Sequence, residues 1–184
     1  HSLLRGGSRV DGVLLEYGLA ARDSERELFP MAAAMSMTPL AWGTLSGDLL
    51  IGDRDGARAR LDSSGDYYAR RRGEAALRIA PTLRALAEAR GTSPSVLALA
   101  WIRAARPGAV PVLGPKTAAE LHERLAVMDV RLSPAEQTVL DAASAIDLGF
   151  PSEYLRDPSV IEEIYGRSTP EAHALAMRAR LSSG

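Results

Sequence analysis

Three short apolar runs stand out in the hydrophobic pattern of this chain: residues 13–17, Thr38–Trp42 and Val110–Leu113. Each run is too short for a helix, and none alternates strictly between apolar and polar residues. Such runs are typical of strands in a parallel sheet that is covered on both faces. Pro39 fits the second run only near the start of a strand, because proline lacks the N–H that a sheet interior requires.

Helix-start signals lie between and after these runs. The spacing of a capping box, Ser or Thr followed three residues later by Glu, begins at Ser24, Thr117 and Ser133. Ser93-Pro94 adds an N-cap followed by a first-turn proline. Apolar residues then recur at helical spacing. These signals predict helices that start after Glu27, at Tyr67, Pro94, Ala118 and Pro134, and at Thr169-Pro170-Glu171.

Other signals predict interruptions. Pro81 inside the helical pattern Tyr67–Arg90 predicts a kink or a break into two pieces. The stretch from Gly43 to Gly65 is rich in Gly, Asp, Ser and Arg, and it predicts a long loop of the kind that is usually functional or mobile. From Gly149 the tail is predicted to be loop-like. The resulting order of elements is α/β, and because three strands leave two open edges, we expect dimers, aggregation or a partner chain.

Composition narrows the function classes. The 184 residues are 46% hydrophobic, enough for one domain with a core, and the net charge of −1 gives no electrostatic footprint for nucleic acid. The absence of cysteine excludes disulfides and thiolate catalysis. No apolar run reaches 18 residues and no signal peptide is evident, so we expect a cytoplasmic protein without a membrane partner. The adjacent His122 and Glu123 lack metal-site spacing, and no metal site is predicted.

Residues 109–124 carry the candidate chemistry. The apolar run breaks at Gly114-Pro115, and Lys116, the only lysine in the chain, precedes the helix start at Thr117. Strand, glycine turn, cation and helix start together form a ready anion site, because N–H groups at a helix start favour negative charge. An ordinary turn followed by a capping box explains the same residues, and spacing alone leaves both interpretations open.

The order of these segments resembles the C-terminal half of an aldo-keto reductase. The resemblance covers nearly the whole chain and looks most like the bacterial branch whose barrel ends in a Gly-x-Arg/Lys-Thr turn. It implies a partial (β/α)8 TIM barrel, with residues 13–17, 39–42 and 110–113 as strands six to eight and residues 149–184 as a C-terminal tail, substrate loop and final helix. The strings that carry it are LLEYGLAARDSERELFPMA, TPLAWGTLSGDLL, GTSPSVLALAWIRA, PGAVPVLGPKTAAELHERL, RLSPAEQTVLDAAS and LGFPSEYL.

The resemblance implies a nicotinamide dinucleotide site, for NADP(H) with NAD(H) as the alternative. Trp42 matches the aromatic residue that stacks on the nicotinamide ring. The remaining matched positions follow strand seven under the pyrophosphate and strand eight around the adenosine phosphate. After strand seven they are Gly43, Leu45 and Gly47, and in the phosphate turn they are Gly114, Pro115, Lys116 and Thr117. Glu120 and Arg124 stand at the adjoining positions that face the 2′-phosphate and adenine.

Several positions depart from the family pattern. Leu14 stands where the family commonly has Gln, and Asp53 where it has a phosphate-contacting Lys. Glu120 replaces a Gln or Arg that faces the 2′-phosphate, and Arg124 replaces an Asn that contacts adenine. These departures bring acids close to the expected 2′-phosphate, where like charges repel.

The resemblance implies that catalysis needs residues outside this chain. The family's Asp, Tyr, Lys and His tetrad comes from earlier strands that the chain lacks, so no residue here is predicted to be catalytic. We therefore expect an inactive fragment of a carbonyl reductase, whose small carbonyl substrate binds only in an intact barrel. The alternative is a non-catalytic barrel remnant that binds a nucleotide or pairs with another subunit.

Overall fold

A computed structural model describes residues 10–52 and 67–165 of the chain. The chain divides into two compact units, one up to Ile146 and one from Asp147. The strands and helices are β1 (Gly12–Glu16), α1 (Leu28–Ala34), β2 (Thr38–Trp42), α2 (Tyr67–Arg90), α3 (Pro94–Ala105), β3 (Val110–Pro111), α4 (Ala118–Leu125), α5 (Pro134–Ala143) and α6 (Pro158–Tyr165).

The three strands form one parallel sheet in the order β1-β2-β3. In β1 and β2 the register runs from Gly12 beside Thr38 to Glu16 beside Trp42. The short β3 pairs Val110 with Leu40 of β2. Parallel neighbours require crossover connections, and helices supply them here. The predicted α/β class and parallel sheet are thereby confirmed.

Residues alternate between the two faces of the sheet. Leu15 and Ala41, which pair across β1 and β2, are buried. The neighbouring row is open: the Leu14 side chain is 60% exposed and that of Val110 is 48% exposed, with Leu40 between them. Among the described residues, helices thus cover one sheet face and leave the other apolar face uncovered, so the prediction that both faces are covered is wrong for this part of the chain.

The core is centred on α3, where every residue from Ser95 to Ile102 is buried. A helix that is apolar all round must be enclosed by other elements. Trp101 of α3 is fully buried and stacks on Tyr17, just after β1, with ring centroids 5.5 Å apart. Phe29 of α1 meets the edge of the Tyr17 ring at 4.6 Å. This aromatic cluster joins the sheet to two helices.

A polar network lies beside the aromatic cluster. The buried Glu25 carboxylate accepts hydrogen bonds from the Tyr17 hydroxyl and from Arg22 Nε, both at 2.8 Å, and Arg106 Nη2 lies 2.9 Å away. Arg22 also stacks over the Trp101 ring at 5.1 Å. Burial, followed by the negative charge of Glu25, raises the pKa of Tyr17, so its hydroxyl remains a donor.

Two predicted features near the N-terminus and in α2 are wrong. Ser24 does not begin a capping box: its hydroxyl donates to the carbonyl of Glu16, and residues Asp23–Glu25 form a 3-10 turn before α1. The Ser24 hydroxyl makes a tertiary hydrogen bond instead of the local N-cap bond that the sequence predicts. The helix Tyr67–Arg90 is also continuous across Pro81, so the break into two pieces does not occur, whereas a kink at Pro81 stays a prediction.

The other corrections concern β3 and the tail. The third strand covers only two of the four predicted residues, although Val112 N still donates to Ala41 O. The tail from Gly149 is not simply a loop, since it contains α6. The Asp157 carboxylate accepts the N–H of Ser159 at the start of α6, an N-cap signal that precedes Pro158. The helix predicted at Thr169 lies outside the described residues.

Three other predicted caps are confirmed. The Ser93 hydroxyl accepts the N–H of Val96 at the start of α3, and Thr117 accepts that of Glu120 in α4. Ser133 and Glu136 form a complete capping box in α5. None of the described helices is both long and apolar enough to cross a membrane.

Candidate functional site

The candidate site lies at the carboxyl ends of the three strands. Parallel strands end at one edge of their sheet, and ligands of α/β proteins bind there. Glu16 and Trp42 are the last residues of β1 and β2 and lie side by side in the register. The segments that follow β2 and β3, residues 43–52 and 112–117, carry most of the predicted site residues.

Trp42 borders a cleft of about 250 Å³ together with Gly43, Gly47 and Arg72. Its side chain is 41% exposed, so it is not the chain's core tryptophan; that role belongs to Trp101. Glu16 forms an ion pair with Arg72 of α2 in the cleft wall. The cleft therefore offers an accessible flat aromatic face beside a charged pair.

The segment after β2 is a tightly turned loop. Gly43, Ser46, Gly47 and Asp48 all have positive φ values, between 52° and 68°. At Gly43 a Cβ atom would lie 3.2 Å from a Glu16 carboxylate oxygen, so both conformation and space favour glycine there. Such a run of left-handed conformations persists only when surrounding contacts hold it.

Buried side chains hold this loop in place. Leu45 is 6% exposed and Leu50 is fully buried, and both belong to the main core. Leu50 N donates to Leu45 O at 3.4 Å. The Leu45 side chain faces the core, so only its backbone is available to a ligand. The loop is thus a fixed support, with Thr44 buried and Ser46 and Asp48 half-buried.

A four-residue cluster joins the loop after β2 to the turn after β3. Lys116 Nζ lies 2.8 Å from Asp48 Oδ2, and Arg124 Nη2 lies 3.4 Å from Asp48 Oδ1. Arg124 Nη2 also lies 3.3 Å from Glu120 Oε2. The Arg124 side chain is only 6% exposed, whereas that of Lys116 is 72% exposed. We call Asp48, Lys116, Glu120 and Arg124 the charged cluster.

Glu120 also occupies the start of α4. Its carboxylate oxygen Oε2 accepts the backbone N–H of Lys116 at 2.8 Å, and its own N–H donates to the Thr117 hydroxyl. Only half of the predicted capping box is present: Thr117 caps α4, but Glu120 reaches back to the N–H of Lys116 rather than to that of Thr117. A negative side chain already lies where helix-start N–H groups would favour an anion.

The structure brings the predicted residues to one edge of the sheet in two groups. Trp42, Gly43 and Gly47 line the cleft, while Lys116, Glu120 and Arg124 meet around Asp48. Gly114 borders open space, with nothing within 4 Å of an added Cβ. Pro115 is half-buried and Thr117 is exposed and capping α4.

Asp48 is the site residue that sequence reasoning missed. It lies 68 residues from Lys116, inside a loop whose path the sequence does not fix. The sequence carries no local signal for it, because an exposed lysine needs no counter-charge from the protein. Within residues 10–52 and 67–165, no group of three His, Cys, Asp or Glu side chains could hold a metal ion.

The parallel sheet and its edge site define an α/β protein with a candidate ligand site at the strand ends. The family described as "Aldo/keto reductase family" matches residues 3–145. The chain therefore belongs to the aldo/keto reductase family. Family membership and the likeness to a solved aldo/keto reductase structure together indicate a (β/α)8-type α/β fold.

Individual relatives are similar at lower identity. Norsolorinic acid reductase B of Dothistroma septosporum is 29% identical over 142 residues, covering 76% of this chain and 35% of that protein. The aryl-alcohol dehydrogenase [NADP(+)] of Phanerodontia chrysosporium is 25% identical over 142 residues, with coverages of 74% and 37%. An aldo/keto reductase of Klebsiella pneumoniae, crystallised with NADP and acetate, is 23% identical in sequence and superposes with a TM-score of 0.51. The match covers 72% of this chain and 38% of that structure.

Proposed function

We propose that this chain is the C-terminal portion of an NAD(P)H-dependent aldo-keto reductase of the bacterial branch. In this proposal β1 to β3 are barrel strands six to eight, and residues 1–184 form one portion of the barrel with residues 149–184 as its tail. The chain spans about 35% of the norsolorinic acid reductase and about 37% of the aryl-alcohol dehydrogenase described above. The activity proposed for the whole barrel is reversible hydride transfer between the nicotinamide and an aldehyde or ketone.

One observation carries the proposal: the loop after β2 and the turn after β3 meet, with Lys116 Nζ 2.8 Å from Asp48 Oδ2. Two segments that the resemblance assigns to one dinucleotide are thus adjacent in space. The Trp42 face is open at the same sheet edge, where a nicotinamide ring would stack. The NADP(+) in the name of the Phanerodontia relative and the NADP bound in the Klebsiella structure support the same cofactor class.

The uncovered sheet face supports the barrel part of the proposal. Leu14 and Val110 expose 60% and 48% of their side chains on a face that a closed barrel would bury. Exposed apolar surface of this kind marks a contact face. We propose that the remaining barrel strands, or a second copy of the chain, cover it, and that a small carbonyl substrate binds only in the completed barrel.

The first test is cofactor binding by the isolated chain. We expect the 184-residue chain to bind NADPH, followed by nicotinamide fluorescence, and to give no turnover with a generic aldehyde. Binding without turnover follows because the matched positions hold cofactor loops but none of the family's tetrad. Rapid carbonyl reduction by the purified chain would contradict the proposed division of roles, and no binding of NADPH or NADH would overturn the proposal itself.

The second test concerns Trp42. We expect Trp42→Ala to weaken NADPH binding about threefold to tenfold, because an aromatic stack contributes about 0.5–1.5 kcal/mol. Trp42→Phe should retain most of the affinity. Met128→Ala, at an exposed apolar position outside the cleft, is the matched control and should bind like the parent chain. An unchanged affinity in Trp42→Ala would remove the residue from the nicotinamide site.

A further inference from the structure

The charges of the charged cluster balance one another before any ligand binds. Asp48 contacts both cations, at 2.8 Å from Lys116 Nζ and 3.4 Å from Arg124 Nη2. Glu120 contacts Arg124 as well and occupies the N–H of Lys116. Two carboxylates therefore neutralise two cations, and the start of α4 is already bonded to a negative side chain.

We propose that Asp48 is an internal competitor for the cofactor's 2′-phosphate and so determines how strongly this chain discriminates NADP(H) from NAD(H). The inference rests on the proposed function, in which Lys116 belongs to the turn around the adenosine phosphate and Arg124 stands at the adjoining adenine position. A phosphate gains most from cations that are free to pair with it. Here it must either displace Asp48 from Lys116 or bind beside it against charge repulsion.

The geometry of Asp48 suits a resident competitor rather than an incidental surface contact. Its backbone oxygen accepts the N–H groups of Ile51 and Gly52, and its φ is +68°. The carboxylate is thereby directed by a fixed loop that Leu45 and Leu50 anchor in the core. Arg124 is buried and cannot turn away to a new partner as freely as Lys116, so Asp48 restrains both cations together.

The decisive variant is Asp48→Asn. Asparagine tolerates a left-handed backbone and keeps the side-chain size, so the loop is expected to fold unchanged while the negative charge is lost. The probes are adenosine 2′,5′-bisphosphate and AMP, which differ only in the 2′-phosphate. We expect Asp48→Asn to bind the bisphosphate about tenfold more tightly than the parent chain, with AMP affinity within about twofold.

Two further measurements keep the result interpretable. Glu88→Gln removes one exposed carboxylate from α2 and is the matched charge control; it should leave both affinities unchanged. Glu120→Gln removes the second carboxylate of the cluster and should shift bisphosphate affinity in the same direction as Asp48→Asn. Because Lys116 is the only lysine, reductive ¹³C-methylation gives one lysine signal, which should respond to the bisphosphate more strongly in Asp48→Asn.

The outcomes separate this inference from the proposed function. If NADPH binds and Asp48→Asn leaves the preference for the bisphosphate unchanged, the competitor role is wrong while the cofactor site stands. Weaker binding of both probes by Asp48→Asn would make Asp48 part of the binding surface and also overturn the inference. If no nucleotide binds to the parent chain or to any variant, the proposed function fails and the inference fails with it.

Discussion

Trp101→Ala is expected to destabilise the chain by about 3–5 kcal/mol, the usual cost of truncating a fully buried tryptophan. The Trp101 ring stacks on the Tyr17 ring with centroids 5.5 Å apart, and the Arg22 guanidinium carbon lies 5.1 Å from the Trp101 ring centroid. Its indole N–H donates to Asp141 of α5 at 2.9 Å. The substitution thus opens a cavity where the sheet, α3 and α5 meet. Urea unfolding followed by far-ultraviolet circular dichroism measures the loss.

The chain's second tryptophan supplies a matched control. Trp42 is 41% exposed, so Trp42→Ala should cost about 1 kcal/mol or less. Trp101→Phe should fall between the two because it keeps most of the packing and loses the bond to Asp141. Equal destabilisation by the two alanine substitutions would contradict the assignment of Trp101 as structural and Trp42 as surface. Because a typical domain is stable by only about 5–15 kcal/mol, a loss of about 3–5 kcal/mol also makes Trp101→Ala prone to unfolding.

The elements that could be predicted from the sequence are those with local causes. The runs at β1 and β2 and the caps at Ser93 and Ser133 depend on residues adjacent in the chain, and the structure confirms them. Ser24 was misassigned because its hydroxyl bonds to Glu16, a contact that exists only after β1 is in place. Pro81 was misassigned as a possible break because propensity is a weak prior when tertiary packing holds a helix together.

The residues of the candidate site also divide into those placed by local sequence and those placed by contacts that exist only in the folded chain. Lys116 and Thr117 could be proposed from the sequence because strand, glycine turn and helix start are consecutive in the chain, and their role in cofactor binding stays a prediction. Asp48 was missed because its role depends on a loop path set by positive φ values and two buried leucines. The Trp42 face was placed by resemblance, and its exposure is a finding of the structure that periodicity does not predict.

Glu25→Gln is expected to destabilise the chain by about 3–5 kcal/mol at neutral pH, as removal of one partner from a buried ion pair typically does. The Glu25 side chain is 7% exposed and balances Arg22, whose side chain is 14% exposed, and also Arg106. Glutamine keeps the shape but leaves these cations without their buried counter-charge. Glu27→Gln, an exposed carboxylate two residues later, is the control and should change stability by about 0.5 kcal/mol or less.

The pH dependence of the stability difference between the parent chain and Glu25→Gln shows whether the loss comes from the Glu25 charge or from side-chain packing. Burial acts to raise the pKa of Glu25, but hydrogen bonds from Arg22 and Tyr17 and the charges of Arg22 and Arg106 outweigh it and lower the pKa from its ordinary 4.5. A carboxylate with a lowered pKa stabilises the fold above the unfolded-state value and loses that contribution as the pH falls through the folded-state value. The stability gap between the parent chain and Glu25→Gln should therefore be widest at neutral pH and narrow progressively below about pH 4.5. Urea unfolding at a series of pH values checks this, and a gap that stays constant into acid would show that the loss comes from packing rather than from the charge.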